Sequence, residues 1–188
     1  MTRGPVTDKI VVTSIALKTP LAEKLELNAA VFRAGLSAYE EFPGYYLLTT
    51  NEEDDDLPCI AVFDPQIAEF GWERLTHLVE EAFLSFVGET GFDRNQFQQG
   101  AIWFALPEPG SVVDDLELRH KLLPQLINRF SISADCDVSG VQMGATGVAY
   151  LVNKARRALF GGQFKFILIV AVDSCLLDGR ISLYDQQW

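Results

Sequence analysis

At 188 residues, with 48% hydrophobic, 11% aromatic and 22% charged residues, the chain has the length of a single domain and ample apolar material for a core. Acidic residues number 26 against 15 basic ones, a net charge of −11, which disfavours a sequence-independent grip on nucleic acid and an anionic membrane surface. No stretch approaches the roughly 18 uninterrupted apolar residues of a membrane span.

The opening residues lack the apolar core of a signal peptide. Cys59, Cys136 and Cys175 are scattered and odd in number, which argues against a disulfide framework. No CxxC pair occurs, and His77 and His120 cannot complete a recognisable zinc set. These features describe a reduced, cytoplasmic domain without metal or cofactor.

In chain order, the β-branched run within Lys9–Leu17 predicts a buried strand. Thr19 as N-cap and Pro20 at the first helical position predict a helix start. Leu21, Leu25 and Phe32 would share one side of that helix, and Gly35 would end it. Residues 38–70 are the least regular part. Within them Asn51–Asp56 is a contiguous acidic run without the glycine and alternation of a calcium loop, so it reads as a solvated loop.

Trp72–Val87 carries the clearest helical stripe, Leu75, Leu78, Val79, Ala82, Phe83 and Phe86, with His77 beside it and Gly88 and Gly91 closing it. Ala101–Leu106 is a buried strand stopped by Pro107-Glu-Pro-Gly110. Asp114–Arg129 is helical, with a kink or break at Pro124. Phe130–Ala134 alternates apolar and polar, as an edge strand does. Thr146–Phe160 is a helix ended by Gly161-Gly162, with Lys154, Arg156 and Arg157 placed to suit its dipole. Phe164–Asp173 is a strand buried on both faces, judging by its unbroken apolar run, and Ile181–Tyr184 a last short strand. Strands alternating with helices imply an α/β fold with a largely parallel sheet.

The turn Gly140-Val-Gln-Met-Gly-Ala-Thr-Gly-Val148 passes from a strand region straight into a helix. Gly144, Ala145, Thr146 and Gly147 form a helix N-terminus whose N–H groups suit an oxyanion, phosphate or carboxylate. Two other uses compete: such a turn lowers the pKa of a cysteine placed in it, and its small residues let a helix pack closely on a sheet. The GxGxxG spacing of a dinucleotide site is absent.

Ile10-Val-Val-Thr-Ser-Ile-Ala-Leu-Lys-Thr-Pro-Leu21 followed by Phe32-Arg-Ala-Gly-Leu-Ser37 resembles the opening of β-ketoacyl synthases. Met143-Gly-Ala-Thr-Gly147 through Leu159-Phe-Gly-Gly-Gln163, and then Phe166-Ile-Leu-Ile-Val-Ala-Val-Asp-Ser174, resemble that family's nucleophile turn, following helix and next strand. The resemblance implies the N-terminal half of a thiolase-like fold over residues 1–188: a mostly parallel, mixed five-stranded sheet flanked by helices.

In that family a cysteine at the first turn of this helix attacks an acyl thioester while helix N–H groups hold the oxyanion. The matching position here is Ala145, and Thr146 beside it has no base. Cys136, the alternative nucleophile, lies upstream between two carboxylates that would raise its pKa. The family's paired bases belong to a C-terminal half that this chain lacks, and the ending at Asp185-Gln-Gln-Trp188 reads as a cut.

The resemblance therefore implies a catalytically inactive β-ketoacyl-synthase-like protein of fatty acid or polyketide biosynthesis. Its role would be structural or regulatory, as in chain-length-factor subunits, towards a second thiolase-fold subunit, an acyl carrier protein or acyl-CoA. Two alternatives stand beside it: a 3-oxoacyl-[acyl-carrier-protein] synthase-type acyltransferase whose second half is missing, and a small-molecule binding domain using the glycine turn. The family's dimer joins edge strands, which here implies a homodimer through Phe130–Ala134 or a heterodimer with a related subunit. A lone half would also leave the apolar face of Thr146–Phe160 exposed.

Overall fold

A computed structural model describes residues 9–22, 24–37, 39–47, 57–62, 67, 69, 71–108 and 118–174. Its elements are α1 (Leu25–Arg33), β1 (Tyr39–Leu47), β2 (Leu57–Val62), α2 (Gly71–Thr90), β3 (Gly100–Leu106), α3 (Leu123–Arg129), β4 (Asp137–Gln142), α4 (Thr146–Phe160) and β5 (Phe166–Ala171). A 3-10 turn over Arg94–Gln99 leads into β3, and a π-helical turn over Leu118–Leu122 into α3.

Among the described residues the main sheet has three parallel strands in the order β4-β3-β5. β3 is central and buried along its whole length, as the unbroken apolar run Ala101–Leu106 predicts. The pleat sends alternate residues to opposite faces. Ile102, Phe104 and Leu106 join Leu75, Val79 and Phe83 of α2 and Leu122, Leu126 and Phe130 around α3. Ala101, Trp103 and Ala105 meet Leu151, Ala155 and Ala158 of α4 on the other face. Two small residues around one indole let α4 approach closely. The fold is thus α/β, a parallel sheet between helices.

The α2 stripe is buried at Leu75, Val79 and Phe83. The helix runs through Gly88 and ends before Gly91, whose φ of +63° is the left-handed geometry a terminal glycine supplies. Pro124 stands where the π-helical turn Leu118–Leu122 passes into the α-helix Leu123–Arg129, so the helical run changes character at the proline, as a break there predicts.

Several expectations are overturned. Residues 9–17 form no strand among the described residues, and their apolar side chains are largely exposed. β-branched composition favours a strand only where a neighbouring strand completes it, and none is placed there. Thr19 is not a helix cap. It exchanges backbone hydrogen bonds with Ala22, and its hydroxyl accepts from the N–H of Leu21 (3.2 Å) and Ala22 (3.4 Å). α1 starts only at Leu25, after Lys24, and buries nothing, with Phe32 84% exposed.

The supposedly irregular stretch contains the antiparallel pair β1–β2, whose register shifts between Glu41 and Tyr46, where Pro43-Gly44 interrupts the ladder. The acidic run Asn51–Asp56, Cys175 and the strand expected at Ile181–Tyr184 lie outside the described residues.

Phe130–Ala134 is not an edge strand. It is the C-terminal cap of α3. Ser131 sits at φ +50°, its N–H bonds to the Asn128 carbonyl (3.2 Å), and the Ile132 N–H bonds back to Ile127 (3.0 Å). That pattern is a Schellman motif. Phe130 and Ile132 are buried in the core. The expected five strands are three in the main sheet among the described residues, with β1–β2 forming a separate pair.

Candidate functional site

The parallel register places the carboxyl ends of β3, β4 and β5 along one edge of the sheet, Leu106 opposite Gln142 and Ala105 opposite Ala171. The helix after β3 lies on one face and the helix after β4 on the other. Neighbouring strands whose following helices part in this way open a crevice at their carboxyl ends, where α/β sheets place ligands. Here those carboxyl ends are followed by Pro107-Glu108 after β3 and Met143–Thr146 after β4.

The turn into α4 is built from backbone. Gly144 has φ +50°, and its N–H donates to the Leu106 carbonyl (3.1 Å), extending the β3–β4 contact by one step. The N–H of Thr146 bonds to Met143 O (3.2 Å) and that of Gly147 to Gly144 O (3.0 Å). The Thr146 hydroxyl also donates to Met143 O (2.8 Å), so it is engaged within the turn. Ala145 is the N-cap residue, exposed, and offers no side-chain cap.

Glu108 lies against this turn. A Cβ on Gly144 would sit 2.7 Å from Glu108 Cγ and 2.9 Å from its Oε1. A carboxylate beside a helix N-terminus is favourable to the dipole, and it occupies the ground an anionic ligand would use. Gly147 serves packing: a Cβ there would lie 3.1 Å from Ala105 Cβ on the central strand. The sequence analysis did not single out Glu108, because Pro107-Glu-Pro-Gly110 reads only as a strand stop.

Arg74 was likewise not legible in advance. It is buried near the start of α2, where Nη1 donates to Ile67 O (2.6 Å) and Nε to Ser174 Oγ (3.2 Å), joining the entry to α2 with the end of β5.

Cys136 is far from the turn. It is buried just before β4, at the opposite end of the strand, about 20 Å of extended chain from Met143. Burial, then the neighbouring Asp137, push its thiol pKa up, against a smaller lowering contribution from the Ile102 backbone. A raised pKa disfavours the thiolate and hence nucleophilic chemistry.

His77 stands on the outer side of α2 between two carboxylates, Nδ1 3.3 Å from Glu69 and Nε2 3.4 Å from Glu81. Lys18 is 3.1 Å from the other Glu81 oxygen. His120 is exposed. Neither histidine approaches the turn within its own element. Among the described residues no group of three His, Cys, Asp or Glu side chains is arranged to hold a metal ion.

A concavity of 390 Å³ lies at the amino-terminal end of the sheet, beside α4, lined by Trp103, Asp137, Tyr150, Lys154, Arg157 and Phe164 among others. Trp103 Nε1 donates to Asp137 Oδ2 (2.7 Å), and Lys154 Nζ sits 4.3 Å from the indole centroid. Asp137 and Lys154 thus both engage Trp103, and Lys154 and Arg157 lie in the half of α4 where cations suit the helix dipole. No helix among the described residues is long and apolar enough to cross a membrane.

No protein-family model, curated protein or solved structure matches this chain.

Proposed function

We propose that the chain is a thiolase-like, β-ketoacyl-synthase-like protein that does not condense acyl thioesters, and that it acts as a non-catalytic partner of a thiolase-fold subunit or an acyl carrier. The observation that carries the reading is the residue at the entry to α4. The turn from β4 delivers Ala145 to the N-cap of that helix, where the resemblance would put the attacking cysteine. A methyl group supplies no nucleophile, and the neighbouring Thr146 hydroxyl is donated to Met143 O. The described alternative, Cys136, is buried with a raised pKa at the other end of β4.

Support is uneven along the chain. The strand–turn–helix–strand unit β4-α4-β5 has the order the resemblance requires, with a parallel sheet and a helix packed by small residues. The opening, Ile10–Leu21, lacks the strand it requires. The proposal therefore leans on Gly140–Ser174.

The test is a condensation assay with malonyl and acyl thioesters, run on the chain alone and on the chain mixed with a competent thiolase-fold subunit. The reading predicts no carbon dioxide release from the chain alone, and a changed rate or product length in the mixture. Condensation by the chain alone would establish the acyltransferase alternative. An unchanged mixture would remove the partner role.

A further inference from the structure

The 390 Å³ concavity beside α4 is of a size that holds a small molecule, and the segment that walls it differs in charge from the rest of the chain. All 26 acidic residues lie outside residues 138–172. That stretch carries Lys154, Arg156, Arg157 and Lys165, a basic segment in a chain of net charge −11.

Tyr150, Asn153, Lys154 and Arg157 stand at i, i+3, i+4 and i+7 on α4, so they form one stripe. It runs beside the stripe that α4 buries, Gly147, Leu151, Ala155 and Ala158, and it lines the concavity. The helix dipole accounts for a cation in the last turn, Arg157. It does not account for Lys154 one turn earlier, and like charges a turn apart repel. α4 contains no carboxylate to offset them. Lys154 is instead positioned by an aromatic floor. Its Nζ lies 4.3 Å from the centroid of Trp103, which is buried and fixed by Nε1 donating to Asp137 Oδ2 (2.7 Å). Asp137 is the one carboxylate of the lining, and that indole N–H occupies one of its oxygens. The side chains of Tyr150, Asn153 and Arg157 take part in no hydrogen bond or ion pair among the described residues. Arg156, next in sequence, lies over the Phe160 ring (5.7 Å) and does not line the concavity.

We propose that this concavity binds a small oxyanion carried on a flat ring, an aromatic carboxylate or phosphate. Arg157 and Lys154 receive the anion, Asn153 adds an amide donor, and the ring lies against Tyr150, which is 49% exposed. A guanidinium fork matches either anion bidentately, and the ammonium adds a point charge. Phe164, edge-on to Trp103 with centroids 6.1 Å apart, supplies a second aromatic wall. A small ligand suits the site better than a polyanion, because the volume is small and the acidic remainder of the chain repels a large anion. The site lies towards the C-terminal end of α4, away from Ala145, and the proposal does not rest on the functional reading above.

The experiment is isothermal titration of the full chain, in a phosphate-free buffer of low ionic strength, with phenyl phosphate, benzoate, inorganic phosphate and benzyl alcohol. At least one of the two ringed anions should bind, about tenfold or more tighter than either inorganic phosphate or benzyl alcohol. The tighter of the two identifies the head group. Arg157→Gln and Lys154→Gln should each weaken that binding by about tenfold or more, the usual loss for a charge-assisted hydrogen bond. Arg156→Gln removes the same charge one residue away and should leave it nearly unchanged. Arg157 holds no partner in the folded chain, so its variant should unfold thermally as wild type does. Three results would overturn the proposal: no binding of either ringed anion at millimolar concentration, inorganic phosphate or benzyl alcohol binding as tightly as the ringed anions, or Arg156→Gln weakening binding as much as Arg157→Gln, which would mean a diffuse field rather than a site.

Discussion

The Ala105 side chain of β3 faces Gly147 in the first turn of α4 so closely that a Cβ on Gly147 would lie 3.1 Å from that of Ala105. Ala105 belongs to the fully buried central strand and has nowhere to move. Gly88 in α2 is the control, with nothing within 4 Å of an added Cβ. Gly88→Ala should stabilise by about 0.5–1 kcal/mol, the usual gain for a helix glycine. Gly147→Ala should show no gain or a loss, and Gly147→Val should cost about 2–3 kcal/mol by overpacking. Urea unfolding of the three variants checks the ordering.

Ser131 holds a left-handed conformation at the end of α3, a position α1 and α4 give to Gly35 and Gly162, with φ +66° and +68°. Relief of the side-chain penalty, less the added chain entropy of glycine, should make Ser131→Gly more stable by about 0.5–1 kcal/mol. Thermal unfolding measures it. A destabilised variant would return Phe130–Ala134 to consideration as something other than a helix cap.

That cap shows where sequence pattern fails. α1 and α4 end in glycine and their stops were legible, whereas Ser131 has no compositional mark of the same geometry, so FSISA presents the alternation of a strand. β3, α2 and α4 were readable because a continuous apolar run or a helical stripe dictates what they bury. The opening segment departs from its pattern for the converse reason: Ile10–Leu17 has the composition of a central strand but pairs with no strand among the described residues. At the candidate site Ala145 and Gly147 were visible as small residues before a helix. Glu108 was not, because the register that brings it against Gly144 is set by long-range pairing.

Reactivity separates the two thiol positions. In wild type, Cys136 should react with iodoacetamide at neutral pH well below the rate of a free peptide thiol, since burial and Asp137 raise its pKa. In Ala145→Cys the new thiol, exposed at a helix N-terminus, should react faster than that reference, with a lowered pKa in its pH–rate profile. Equal rates at both positions would contradict the assigned geometry.

Acid stability reports on the α2 entry. Glu69 has its pKa lowered, chiefly by a backbone N–H of its own residue and then by His77. A carboxylate with a depressed folded-state pKa contributes stability that is present above its unfolded value, about 4.5, and lost as pH falls through the lower folded value. Glu69→Gln should therefore narrow the stability difference between pH 6 and pH 3. Denaturant midpoints across that range check the sign, and a variant with the wild-type slope would show that Glu69 carries none of it.

The central claim is that the chain presents no nucleophile at the entry to α4. Intact-mass measurement after incubation with acyl-CoA and acyl-carrier thioesters tests it most directly, with Ala145→Cys alongside as the positive control. The account predicts no covalent acyl adduct on the wild-type chain and an adduct confined to Cys-substituted position 145 in the variant. An acyl group on Cys59, Cys136 or Cys175 of the wild type would contradict it.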